Sequence, residues 1–162
     1  MTFRLFPRLR RDDRPAPAPT QAEQRMARIR EKIESIRASG LPLQTQASEL
    51  SALGKTCGSL DESLLVRSHA DYISDSMATR NDEAAHLERM HQPARAIELY
   101  EANVRDRFKG SYPYERLWAL YGAADRLADA RRVCQAMLEY ADLDEVKRKK
   151  YRDWLSGLRR TD

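Results

Sequence analysis

A chain of 162 residues, 41% hydrophobic and 33% charged, is long enough for one domain with a real core. Its net charge of +4 is uneven: residues 1–20 carry five Arg and two Asp, residues 147–162 seven Lys/Arg and two Asp, and the stretch between them 17 basic and 21 acidic residues. Basic ends on a mildly acidic body argue against a uniformly basic nucleic-acid-binding domain, and no apolar run reaches membrane-spanning length.

The chain starts MTFRLFPRLRR, where Arg4, Pro7 and Arg8 interrupt the apolar positions, so no secretory leader is expected. RPAPAPT follows, and alternating Pro and Ala is extended and solvated; residues 1–22 are predicted to form a flexible basic tail. Met26, Ile29, Ile33 and Ile36 then recur at three and four residues, one apolar stripe on a helix stopped by Gly40 and Pro42. Between 44 and 76 the pattern weakens. Leu50 and Leu53 predict a short helix broken near Gly54 and Gly58, and Asp61 is the expected cap of another running through Leu64, Leu65, Ala70, Tyr72 and Ile73. Nothing alternates with period two, so no sheet is expected.

From residue 77 the chain repeats itself. DEAAHLERMHQPARAIELYEANV (82–104) and RLWALYGAADRLADARRVCQAML (116–138) align at a shift of 34: Leu87 with Tyr121, Ala94 with Ala128, Ala96 with Ala130, Leu99 with Val133, Tyr100 with Cys134, Val104 with Leu138. Each copy reads as helix, turn, helix, the turns being His91-Gln92-Pro93 and Asp125-Arg126-Leu127. With small Ala96 and Ala130 where two helices must approach closely, and large Tyr100, Leu117 and Tyr121 around them, this unit resembles the tetratricopeptide repeat. Tyr114 stands where that family places an aromatic in its first helix. Two departures are visible: Trp118 occupies a position the family keeps small (Ala84 keeps it in the other copy), and Lys109-Gly110-Ser111-Tyr112-Pro113 replaces the usual proline turn.

Two hairpins bury little alone, so 23–76 is read as an N-terminal helical segment, a degenerate repeat at its core, 77–144 as two hairpins, and 145–162 as a capping helix. Tyr151, Trp154, Leu155 and Leu158 give that last helix one apolar face. The fold class expected is all-α, a short tetratricopeptide-like solenoid of antiparallel hairpins. Tyr114, Leu117, Trp118 and Tyr121 are predicted to be core; Tyr112, ahead of Pro113, is not.

The resemblance implies a function of holding another protein, as an adaptor or scaffold subunit, with the first helices of each hairpin lining a groove. By helical phase its candidates are Asn81, Ala85, Glu88, Arg89, Tyr112, Glu115, Ala119 and Ala123. Glu115 has the wrong sign for clamping a terminal carboxylate, and Ala85 and Ala119 have no donors. A groove of small residues suits a partner helix or peptide better. The competing reading is a nucleic-acid-associated accessory protein using the basic tail and Lys147, Arg148, Lys149 and Arg152. Against it, Tyr151 and Trp154 are claimed by the apolar face. The tail could touch an anionic membrane, but Pro7 interrupts its amphipathic pattern, and no membrane partner is expected. A homo-oligomer is compatible with all of this.

Catalysis finds no support. His86 and His91 are five residues apart, not the four of a helical metal pair, GKTCGS lacks the strand and spacing of a phosphate loop, and no metal or cofactor is expected. Cys57 and Cys134, without framework spacing, read as reduced buried thiols of a cytoplasmic protein.

Overall fold

The computed structural model describes residues 18–158; the basic start and most of the tail expected over 1–22 lie outside the described residues. Among those described there are seven helices and no strand: α1 Gln21–Arg37, α2 Leu43–Gly54, α3 Leu60–Arg89, α4 Pro93–Arg105, α5 Tyr112–Ala123, α6 Leu127–Tyr140 and α7 Glu145–Leu158. Each of the helices from α2 onward packs on the next in sequence, and α1 packs on both α2 and α3.

Local chemistry sets the ends. Thr20 caps α1, its hydroxyl accepting from the Glu23 N–H at 3.3 Å while Glu23 Oε2 accepts from the Thr20 N–H at 2.6 Å. Gly40, at φ 69°, supplies the left-handed turn that ends this first segment. Ser59, not Asp61, caps α3, accepting from the Glu62 N–H at 3.3 Å. Helix α2 follows Pro42, which has no side-chain acceptor to offer. Its first amides are met from elsewhere: Asp106, at the end of α4, accepts from the Leu43 N–H through Oδ1 (3.4 Å) and from the Gln44 N–H through its carbonyl (3.1 Å). Arg80 Nη1 donates to the other carboxylate oxygen at 2.6 Å, so one residue ties α2, α3 and α4 together.

Two of the turns repeat in detail. His91 (φ 56°) ends α3 and Asp125 (φ 54°) ends α5 in the left-handed region, and the next amide reaches back in each case: Gln92 N–H to Leu87 O at 2.9 Å, Arg126 N–H to Tyr121 O at 2.8 Å. This Schellman arrangement, seen again at Arg107, closes a helix on a left-handed residue. Burial recurs with the same spacing. Glu62, Ala96 and Ala130 are buried at intervals of 34 residues, as are Val66, Tyr100 and Cys134.

The boundary expected between 76 and 77 falls inside α3, which runs unbroken because no Gly or Pro occurs between Ser59 and Gln92. The core, by contrast, does divide there. One cluster gathers Ile33, Ala47, Leu50, Val66, Ala70, Ile73 and Met77; the other gathers Ala84, Leu87, Ala96, Tyr100, Tyr114, Leu117, Tyr121, Val133, Cys134, Met137 and Tyr151. Between them on α3 lies Asn81, joined to buried Asn103 of α4. Asn103 Nδ2 donates to Asn81 Oδ1 at 2.7 Å and to the Met77 carbonyl at 2.9 Å, and Asn103 Oδ1 has no partner among the described residues.

Tyr114 and Leu117 are fully buried and Tyr121 is 3% exposed, as expected of a core face. Trp118 is only half-buried. It fills the space between α5 and α7, edge-on to Tyr151 (centroids 5.6 Å apart) and Trp154 (5.4 Å), which is why a bulky residue replaces the small one there.

Candidate functional site

Glu88 on α3 accepts from Tyr100 Oη of α4 at 2.7 Å and from one edge of the Arg116 guanidinium of α5, from Nε at 3.0 Å and from Nη2. Arg116 and the Tyr100 hydroxyl hold the Glu88 carboxyl below its usual value; burial and Glu88 together push the Tyr100 phenol up. One step along, Glu101 of α4 accepts from Tyr121 Oη at 2.7 Å and from Arg132 Nη2 of α6 at 2.5 Å. A step further, Glu115 of α5 accepts from Tyr151 Oη of α7 at 3.3 Å and pairs with Lys147 Nζ at 2.9 Å. Burial, aided by these carboxylates, pushes Tyr121 and Tyr151 each to about 12.

Each unit is a core tyrosine whose hydroxyl leaves the apolar interior to meet a carboxylate, with a cation closing the far side. The arrangement satisfies buried phenols and cross-links successive helices. It offers no nucleophile, and these carboxylates are already neutralised. Two of the groove candidates, Glu88 and Glu115, are therefore structural braces. Asn81 is another correction: it is 7% exposed and bonded to Asn103, so it faces the interior of the α3–α4 pair and not a groove.

The other groove candidates stay near the surface. Ala119, Ala123 and Arg89 are exposed and Ala85 is half-buried. Ala85 on α3 and Ala119 on α5 are 34 residues apart, as are Arg89 on α3 and Ala123 on α5. Tyr112 is 45% exposed and lies edge-on to Tyr100 at 6.0 Å.

The basic candidates on α7 separate in the same way. Lys147 is bound to Glu115 and Ser111, and Arg148 Nη1 donates to the Leu138 carbonyl at 3.0 Å. Lys149 and Arg152 are exposed and make no ion pair among the described residues. Tyr151 is buried, so it offers no ring for base stacking.

No group of three or more His, Cys, Asp or Glu able to hold a metal occurs among the described residues. Cys134 is buried, which pushes its thiol up to about 11, and Cys57 is half-buried; both are free. A cavity of about 430 Å3 between α2 and α3 is lined by Leu50, Ser51, Lys55, Ser63, Arg67 and Asp71 among others, a set with no general-base or nucleophile pairing. No described helix is long and apolar enough to cross a membrane. Compared with protein-family models, curated proteins and solved structures, the chain finds no match.

The tyrosine braces were missed in the sequence because their partners lie 12 to 36 residues apart. The available signal was Tyr at a core phase of a helix, where a buried hydroxyl demands an acceptor that Phe would not.

Proposed function

We propose that the protein is a non-enzymatic interaction module, an adaptor or scaffold subunit, whose helices stack as a short tetratricopeptide-like solenoid and hold a helix or peptide of another protein. The observation carrying this reading is the 34-residue spacing of two small residues, Ala85 on α3 and Ala119 on α5. Small side chains at matching positions of two successive first helices let a partner helix approach the backbone of both. The 34-residue recurrence of Ala96 with Ala130, of the two Schellman turns and of burial supports the repeat reading.

The test is affinity capture from host lysate with and without nuclease, using the full chain, the Ala119→Arg/Ala123→Arg variant and the Lys149→Glu/Arg152→Glu variant. Both alanines are exposed, so the fold should stay intact by circular dichroism. The proposal expects a defined protein that survives nuclease and is lost only in the alanine variant. Retention that vanishes with nuclease and with the charge reversals, with a steep dependence on salt, would instead establish the nucleic-acid reading through Lys149 and Arg152.

A further inference from the structure

The solvent side of α3 is unlike any other surface in the molecule. Stepping by three and four, Leu60, Leu64, Ser68, Asp71, Asp75, Ala78 and Asp82 follow one another along a single exposed stripe, with Asp61 and Tyr72 beside it. Leu60 is 73% exposed, Leu64 51% and Tyr72 69%, three large apolar side chains within twelve residues of one another. Asp61, Asp71, Asp75 and Asp82 make no hydrogen bond or ion pair among the described residues, while Arg67 lies on the stripe and Lys55 lines the adjoining cavity with Asp71. A second copy of the same face would bring its carboxylates against these, which disfavours a symmetric dimer here. The complementary ligand is an apolar segment studded with cations.

The chain itself contains one: Phe3, Leu5, Phe6 and Leu9 interleaved with Arg4, Arg8, Arg10 and Arg11. Its attachment point is close by. Arg25 Nε of α1 reaches Glu62 Oε1 at 3.3 Å, which sets the start of α1 beside the start of α3. Residues 12–20, DDRPAPAPT, can bridge roughly 28 Å at about 3.1 Å per residue. We propose that residues 3–11 dock in cis on the exposed face of α3, their Phe and Leu side chains covering Leu60, Leu64 and Tyr72 and their arginines meeting Asp61, Asp71 and Asp75. The stripe runs on through Ala85 and Arg89, but the substitutions tested at Asp71 and Asp75 are on α3 and those at Ala119 and Ala123 on α5, so the two readings can fail separately.

A nitroxide on Thr2→Cys in the full chain tests it. The background carries Cys57→Ser, which keeps a donor to the Leu53 carbonyl, while Cys134 is buried. In dilute sample, the label should broaden the amide resonances of residues 60–75 to less than half their intensity and leave those of α5 and α6 unchanged. Asp71→Lys/Asp75→Lys, or 0.5 M salt, should restore most of that intensity. No broadening on α3, or broadening spread evenly over the surface, overturns the proposal. Broadening that transfers to an isotope-labelled second copy mixed with an unlabelled spin-labelled one overturns the cis assignment in favour of exchange between molecules.

Discussion

The two cores solve one problem with different chemistry. The N-terminal core is aliphatic: Ile33, Leu50, Val66, Ile73 and Met77 meet through shape alone, and its buried charge, Glu62, serves the local turn by accepting from the Gly58 N–H at 2.9 Å and from Arg25. The C-terminal core places Tyr100, Tyr114, Tyr121 and Tyr151 inside and sends each hydroxyl out to an acceptor. Aliphatic packing sets no angular requirement of its own, because dispersion is non-directional. A tyrosine–carboxylate–cation brace does, since its hydrogen bonds fail steeply with misalignment. The half whose helices recur regularly is thus also the half whose register is enforced by directional bonds.

Breaking the directional half should have the largest effect. Tyr100→Ala empties a fully buried site and leaves Glu88 with only Arg116, and is expected to cost about 3–5 kcal/mol in chemical denaturation. Tyr100→Phe removes only the hydroxyl bond, costing about 1.5–3 kcal/mol as a bond to a charged group. No loss for Tyr100→Phe beside a full loss for Tyr100→Ala would show that volume matters and the brace does not. Trp118→Ala should fall below Tyr100→Ala, because Trp118 is only half-buried.

The polar divider between the cores sharpens the contrast next. Asn103→Ala strands buried Asn81 and is expected to cost about 1–3 kcal/mol. Replacing both with Leu removes the stranded group, and should recover much of that loss while joining the two apolar clusters. A double variant as unstable as the single one would contradict this account.

The charged groups make a pH prediction with two limbs. Glu88 is held low first by Arg116, and Glu62 first by the Gly58 N–H. Both favour the ionised form in the fold, so their stabilisation is present above about pH 4.5 and lost as pH falls through their lowered values. Tyr121 and Tyr151, raised from 10 to about 12 chiefly by burial, stabilise fully below pH 10 and progressively less as pH rises toward 12. Absorbance near 295 nm should show these two phenols ionising only together with loss of helical signal. Their ionisation near pH 10 in a still-folded chain would contradict their burial.

The smallest effect concerns a turn. Asp125 sits at φ 54° and is exposed, so Asp125→Gly should stabilise by about 0.5–1 kcal/mol, read as a small rise in melting temperature.

What the sequence made legible follows from the range of each interaction. Helices, turns and the 34-residue spacing rest on neighbours within a few positions, and the apolar stripe of α1 and the paired alanines Ala96 and Ala130 display them openly. The unbroken α3 was also visible, in the missing Gly and Pro, but its weak apolar pattern suggested an end at 76 where there is only a change of core. Asp106 capping α2 from 63 residues away has no local signature at all. The partners of Asn81, Glu88 and Glu115 were hidden for the same reason: helical phase fixes direction, while a partner on another helix decides whether a side chain is free.

A helix of 30 residues spans about 45 Å, and α3 lies across both cores without a joint. Mechanically it is a spar. Load applied at either end passes to the other through continuous backbone hydrogen bonds, so the halves cannot swing about a linker as two beads would. Relative motion must come from fraying of α1 and α2 at one end or of α7 at the other. A ligand that shifts α1 or α2, which pack on α3, would load the spar directly, whereas one that shifts α7 would reach it only through the intervening helices.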